Sequence, residues 1–438
     1  MLAEAIAPAP NAETQSLKAR LHRQLIDALD LSQAAELSDE ELRTHLRALA
    51  NHLGRLHARK LDPEDSEALV EDVLCDLFGY GPLERLMRDP EVGEVLVNGP
   101  HQVLVELNGR RVLSPVRFEG EEQLLQFIRK LVARAGRRID ETNPLIDVRL
   151  QDGVRVQAAV PPLSLRGPTL SLRRAREKSW RLTELVKRET LAPEIAEFLA
   201  AAVRGRLNVL IVGAEGSGKT TVLNALTRAI PTGERIASIE TISELHWSQS
   251  DVIAWEARAP EANGSGAVSL STLLGHALRL DPQRIVIGEL SGGETLEFLQ
   301  ALRTGHDGSL ATLFAQDAED ALDRLEMLTA LGGVALSSRR TRRLIQSAVP
   351  VIVQVSRLST GARKVVRVAE LVRGPRGSVH LEDIFLYRTS GIDGAGNLTG
   401  AFYATGYEPE VASRLSHAGL DLPASLFEAH ELGRKGDA

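Results

Sequence analysis

The chain has 438 residues, 43% hydrophobic and 25% charged, and 52 basic against 59 acidic side chains leave a formal charge of −7. That composition suits two or three globular domains with sizeable cores and excludes a chain-wide basic footprint for nucleic acid or anionic lipid. A single cysteine, Cys75, permits no internal disulfide and no thiolate zinc cluster, and no stretch approaches the roughly 18 uninterrupted apolar residues of a membrane span, so a reducing, cytosolic setting is expected.

Residues 1–14, rich in Ala and Pro and without sustained periodicity, read as a disordered tail. A helical extension is expected over 15–60. There Leu17, Leu21, Leu25 and Leu29 recur at helical spacing, and Ser38 with Glu41 makes a capping-box pattern ahead of Leu42, Leu46, Leu49 and Leu53. Another helical stretch, 67–78, carries Cys75 as a core residue and ends at Gly79-Tyr80-Gly81-Pro82. The texture then turns β-like: 94–97 and 103–107, joined through Asn98-Gly99, resemble a hairpin. A helix at 121–134 and strands at 147–150, 154–160 and 169–173 complete an α+β domain expected over 61–175. The polar stretch after Ala175 reads as a linker, over 176–189. From 190 to 438, β-rich runs at 207–212, 235–239, 252–255, 285–287 and 310–315 alternate with helical segments, which predicts a mostly parallel sheet covered by helices.

Gly213-Ala214-Glu215-Gly216-Ser217-Gly218-Lys219-Thr220 fits G-x-x-x-x-G-K-[ST]. In such a loop backbone N–H groups wrap phosphate oxygens, the lysine neutralises them and the Thr220 hydroxyl binds Mg²⁺. A glycine-rich turn is the bland alternative. The apolar strand leading in and the helix leading out from Thr221 argue against it, because that order aims a helix N-terminus at the anion. A second apolar run, 284–289, ends in Glu289, as a neighbouring strand must if it is to set an acid beside Mg²⁺ and the γ-phosphate. A third strand end offers Glu240 and Glu244, where a solvated loop is the competing reading.

These residues carry a resemblance. Asn143-Pro144-Leu145-Ile146-Asp147-Val148-Arg149-Leu150, the phosphate loop, Gly288-Glu289 with Gly292-Gly293-Glu294, and Thr304-Gly305-His306-Asp307-Gly308-Ser309-Leu310-Ala311-Thr312 resemble the type II/IV secretion ATPase superfamily, nearest the CpaF-type ATPase of tight-adherence (Flp) pilus systems. Gly81-Pro82-Leu83-Glu84 and Val97-Asn98-Gly99-Pro100 match ahead of these, and Gln354-Val355-Ser356-Arg357-Leu358 behind, so the resemblance covers about 70–425. It implies an α/β chain: a RecA-like P-loop C-terminal domain, a smaller α+β N-terminal domain and an N-terminal helical extension. It also implies a homohexamer that hydrolyses ATP with Mg²⁺ at the inner face of the cytoplasmic membrane, driving integral platform proteins. Glu289 would be the Walker B glutamate, with Thr220 and Glu240 beside it around the metal; Glu244 would polarise water and His306 open the histidine box. Arg149, Arg155 and Arg173 would approach the phosphates from the N-terminal domain.

Three departures stand out. Thr241 replaces an aspartate, Ser291 an arginine, and Phe314-Ala315-Gln316 stands for His-Ala-Asn, which predicts slow hydrolysis more than lost binding. Between Ser337 and Ala369 lie eight basic residues (Arg339, Arg340, Arg342, Arg343, Arg357, Arg363, Lys364, Arg367) and no acidic ones. That run is the candidate polyanion or partner surface, weighed against a solvated helix face. No aromatic interrupts it, so a base-stacking platform for nucleic acid is not expected. A nucleotide-binding ring scaffold working with an active paralogue, and a RecA-like nucleic-acid motor, are the alternatives to an ATPase motor.

Overall fold

The computed structural model describes residues 39–56, 67, 70, 79–107, 110–150, 152–174, 180–258, 260, 265–375, 378–392 and 398–433. The expected tail, the Leu17-to-Leu29 repeat, Ser38 and Cys75 lie outside them. The chain divides into two compact units, Met1–Arg176 and Glu177–Ala438.

In the first unit, helix α1 (Asp39–Leu56) buries Leu46 and Ala50. A short helix α2 (Glu84–Arg88) leads to a six-stranded sheet. Its strands are β1 (Val92–Asn98), β2 (Val103–Leu107), β3 (Arg110–Leu113), β4 (Leu145–Arg149), β5 (Arg155–Ala159) and β6 (Thr169–Arg173), in the order β3-β2-β1-β6-β5-β4 with every pair antiparallel. Helix α3 (Glu121–Arg134) places Leu124, Phe127, Ile128, Leu131 and Val132 at helical spacing, and they share one core with Val95, Val156 and Leu172. Each such fully buried side chain contributes about 1.5–3 kcal/mol of transfer free energy. Strand alternation sends the neighbouring residues to the opposite face. There Glu94, Arg173, Arg155 and Arg149 are register partners in turn, one row of charge across four strands.

Helices α4 (Leu182–Lys187) and α5 (Pro193–Arg204) open the second unit. Residues 182–187, expected in the linker, are helical, and the Glu184 carboxylate accepts the Arg181 backbone N–H at 2.7 Å and closes the first turn. The strands are β7 (Val209–Gly213), β8 (Ile236–Glu240), β9 (Val252–Glu256), β10 (Arg284–Leu290), β11 (Leu310–Phe314), β12 (Val351–Arg357), β13 (Arg363–Arg373), β14 (Val379–Ile392), β15 (Leu398–Ala404) and β16 (His430–Leu432). They form one ten-stranded sheet ordered β16-β15-β14-β13-β12-β7-β11-β10-β8-β9. From β12 to β9 each neighbouring pair is parallel, while β12 through β16 pair antiparallel. Helices α6 (Lys219–Thr227), α7 (Leu270–Ala277), α8 (Glu294–Ala301), α9 (Ala318–Leu331), α10 (Ser338–Ala348) and α11 (Glu410–His417) complete it.

Strand β7 is buried at every position: Val209 and Ile211 enter one core with α5 and α6, and Leu210 and Val212 enter another with α8 and α9. A strand covered on both faces reads as a continuous apolar run, as Val-Leu-Ile-Val does here. The architecture is α/β, a RecA-like P-loop unit accompanied by a smaller α+β unit. The antiparallel extension β13–β16 is absent from the sequence expectation, and its cause is visible in β13, whose Arg363, Lys364 and Arg367 mask a strand as a charged stretch.

Candidate nucleotide site

Ligands of parallel sheets bind at the carboxyl ends of the strands. Here that edge holds Gly213 of β7, Glu240 of β8, Glu289 of β10, Phe314 of β11 and Arg357 of β12. Gly213 leads into the phosphate loop, and the loop feeds α6, which starts at Lys219. Gly218 precedes that helix at φ +104°, a conformation L side chains rarely adopt, and a Cβ there would stand 3.0 Å from Arg363 Cδ. The Lys219 ammonium is buried and donates to the carbonyls of Gly213 (3.0 Å) and Ala214 (3.3 Å). Burial pushes its pKa below the ordinary lysine value, while the Glu289, Glu215 and Glu244 carboxylates pull it the other way. All three acids therefore lie within electrostatic reach of the lysine. Ser217 Oγ is buried on the same loop and has no hydrogen-bond partner among the described residues. A desolvated ammonium, an orphaned hydroxyl and a helix N-terminus together suit a phosphate chain.

Glu289 owes its aim to a bulge. Pairing of β10 with β11 jumps from Ile287↔Ala311 to Leu290↔Leu313, so Gly288 and Glu289 oppose Thr312 alone, and the Thr312 hydroxyl donates to the Gly288 carbonyl at 2.6 Å. An extra residue of this kind re-aims the side chain beside it. Gly288 itself must be small, since a Cβ would fall 3.0 Å from Glu240 Cγ.

Glu240 is 2% exposed, and its Oε2 accepts the backbone N–H groups of Glu244 (2.7 Å) and Leu245 (3.1 Å). It thus clasps the loop that carries Glu244. Asn224 of α6 holds the same loop from the other side, donating to the Glu244 carbonyl (3.1 Å) and accepting from His246 N–H (2.8 Å). Thr220 stands in the first turn of α6 and Thr221 follows it. Among the described residues no group of three or more His, Cys, Asp or Glu side chains could hold a metal ion. A hydroxyl, one or two carboxylates and substrate phosphates are the oxygen set Mg²⁺ ordinarily takes, so Thr220 with Glu289 fits it.

Burial raises the pKa of Glu240 to about 7, against the backbone donors that favour its charged form. A carboxyl whose folded pKa exceeds its unfolded value adds stability that is full below about 4.5 and is lost as pH rises through 7. The nucleotide-free protein is therefore expected to lose stability between pH 5 and 8, by up to about 3 kcal/mol, and Glu240→Gln to flatten that slope. Urea denaturation of both proteins at the two pH values checks it; parallel slopes would count against it.

His306 lies in the turn after α8, with Nδ1 3.1 Å from the Ala301 carbonyl. No contact among the described residues joins it to the phosphate loop. Arg149, Arg155 and Arg173 belong to the first unit. Arg155 grips Asp147 through Nε (2.9 Å) and Nη2 (2.6 Å), Arg149 Nε donates to the Gly153 carbonyl (3.2 Å), and Arg173 is exposed. Burial pushes the Asp147 carboxyl up, yet Arg155 and Gln157 hold it below its usual value.

The basic run is not one surface. Arg342 pairs with Asp323 and Glu326, Arg367 with Glu319 and Asp383, and Lys364 with Glu189. Two of its members turn to the phosphate loop instead. Arg357 and Arg363 are register partners at the tip of the β12–β13 hairpin, and Arg363 Nε donates to the Gly216 carbonyl at 3.0 Å. In the sequence Arg363 belongs to the basic run and Arg357 to both that run and the family-like segment 354–358; the hairpin signal around Thr360-Gly361 is the clue to their placement. Asn224 carried no signal in the sequence.

A family model described as type II/IV secretion system protein matches residues 76–397. A putative conjugal transfer protein of Mycobacterium tuberculosis is 34% identical over 315 residues, 70% of this chain and 89% of that one. The type IV secretion system protein PtlH of Bordetella pertussis is 32% identical over 304 residues, 63% of this chain and 88% of that one. Among solved structures, the VirB11 ATPase of the Brucella suis type IV secretion system, in complex with sulphate, is similar at 26% identity and a TM-score of 0.37, covering 69% of this chain and 96% of that one.

Proposed function

The chain belongs to the type II/IV secretion system protein family, and on that premise we propose that it is an ATP-hydrolysing homohexameric motor powering assembly of a tight-adherence (Flp) pilus or a related secretion machine. The observation that carries this reading is the buried Lys219 ammonium at the start of α6, in a glycine loop at the carboxyl edge of the parallel sheet where β8 ends in Glu240 and β10 carries Glu289. In this proposal residues 61–175 form an N-terminal domain joined by 176–189 to an ATPase domain, 190–438. The loop 213–221 holds ATP phosphates, Glu244 orients the attacking water, and His306 lies in the histidine box. Mg²⁺, when bound by Thr220 and Glu289, would neutralise charge on the phosphate oxygens, while Glu240, expected beside the metal, has its Oε2 taken up by the Glu244 and Leu245 backbone N–H groups. The partners are platform proteins of the inner membrane, met at its cytoplasmic face; no nucleic acid is required. Among the described residues no helix is long and apolar enough to cross a membrane.

Arg149, Arg155 and Arg173 are proposed to bring positive charge to the transferring phosphoryl group when the domains close. Charge that arrives with closure acts on the transition state more than on bound substrate. Alanine at any one of them is expected to lower turnover about 10²-fold, with a far smaller loss of ATP affinity. Steady-state rates beside equilibrium titrations decide it; equal losses would make them simple ground-state ligands.

Thr241 and Ser291 supply no charge where the family pattern has it, so turnover is expected to be slow, and this favours the ring-scaffold reading as the second choice. Measuring ATP turnover together with solution mass, with and without ATP and Mg²⁺, separates the two. Turnover by a ring of six is the expected result, and ATP-dependent assembly with no turnover would favour the scaffold.

A further inference from the structure

Phe314, at the end of β11, pairs in register with Gly213, the first residue of the phosphate loop. Its ring has no hydrogen-bond donor, but two cations converge on it. Lys219 Nζ lies 5.3 Å from the ring centroid, and the Arg324 guanidinium carbon lies 4.8 Å from it. Both distances fall within the reach of a cation–π contact.

Arg324 comes from α9, a helix well supplied with acids, yet each of those acids is engaged elsewhere. Glu319 pairs with Arg367, Asp320 accepts the Gln316 backbone N–H, and Asp323 and Glu326 both pair with Arg342. No carboxylate among the described residues pairs with Arg324, and its side chain is half-buried against Phe314. Two like charges held to one ring beside a loop built for phosphate repel each other, and an anion bound there relieves that repulsion. A guanidinium suits such an anion because its planar fork meets phosphate oxygens in pairs.

We propose that Arg324, seated on Phe314, is the cation by which this site recognises the γ-phosphate. The inference rests on the reading of the loop as an ATP site and deepens it. The ring that Lys219 also approaches holds the guanidinium before nucleotide arrives, so Phe314 acts as a positioning residue and Arg324 as the group that touches substrate. Of the three departures from the family pattern, the one at Phe314 is then compensated by a charge from the neighbouring helix.

The test is discrimination between nucleotides. Affinities of the full-length chain for Mg·ADP and for a non-hydrolysable Mg·ATP analogue are measured in wild type, Arg324→Gln, Arg324→Lys and Phe314→Leu. Arg324→Gln is expected to weaken the ATP analogue about tenfold or more while ADP affinity stays within about twofold, as fits loss of one charge-assisted contact. Arg324→Lys should recover part of the loss, and Phe314→Leu should weaken the analogue selectively but less. Thermal midpoints keep folding out of the comparison. Equal losses for both nucleotides, or no loss in Arg324→Gln, would overturn the proposal. A wild type that binds neither nucleotide would overturn the ATP reading itself.

Discussion

Lys219→Ala is expected to lower Mg·ATP affinity about 10²–10³-fold and to take turnover with it, while the thermal midpoint of the nucleotide-free protein holds or rises. The reason lies in where the ammonium sits. It is buried, its hydrogen bonds among the described residues go to the Gly213 and Ala214 carbonyls, and burial depresses its pKa. The empty site thus bears the cost of a desolvated cation that substitution removes. Nucleotide then meets Glu289, Glu215 and Glu244 with no lysine between, and breaking a desolvated charge pair costs about 3–5 kcal/mol. Calorimetric titration beside thermal denaturation checks both halves. Unchanged affinity would remove this loop from the site.

Arg284→Met should destabilise the protein by a comparable amount, about 3–5 kcal/mol, without touching the nucleotide edge. Arg284 opens β10, at the far end of the strand from Glu289, and is 0% exposed. Its Nε and Nη2 grip Glu234 at 2.6 and 2.9 Å, and Nη1 donates to the carbonyls of Val203 (2.7 Å) and Gly308 (3.0 Å). Methionine fills much of the volume and leaves the carboxylate and both carbonyls short of a donor. The hydrogen bonds from Arg284 hold the Glu234 pKa below its usual value, so this carboxyl adds stability above about pH 4.5 that is lost as pH falls through the depressed value. The variant should lack that part of its acid sensitivity. Urea denaturation gives the magnitude, and adding Glu234→Met should restore part of it. A loss below about 1 kcal/mol, the worth of an ordinary surface pair, would show that water replaces the guanidinium.

The parts of this molecule written in short sequence windows were legible. Val209 to Lys219 holds a doubly buried strand, a glycine turn and a helix start within one loop's reach, and β2, β6 and α3 match their expected bounds. What escaped depends on partners far apart in the chain. Arg363 meets Gly216 across 147 positions, and Arg284 meets Glu234 across 50, so no local pattern encodes either contact. The row of arginines in the first unit illustrates the same limit, because each residue alternates plainly along its own strand while only the antiparallel register sets them abreast. The bulge at Gly288-Glu289 likewise shows only against β11.

The hairpin between β12 and β13 joins chemistry to support. Its root is pinned beside β7 by parallel pairing, and Arg363 at its tip is hitched to the carbonyl of Gly216. From there the hydrogen-bonded rungs run outward through β14 and β15 to β16, about 14 Å from β13 at ordinary strand spacing. Arg363 faces Arg357 of β12, while β14 joins β13 from Arg367 onward. Phe385, Phe402 and Leu432 of these outer strands share one core with α5 and α6, and Gly433 N–H closes the sheet's edge onto the Glu194 carboxylate at 3.2 Å, so the antiparallel strands are a buttress keyed to the helix that grows out of the glycine loop.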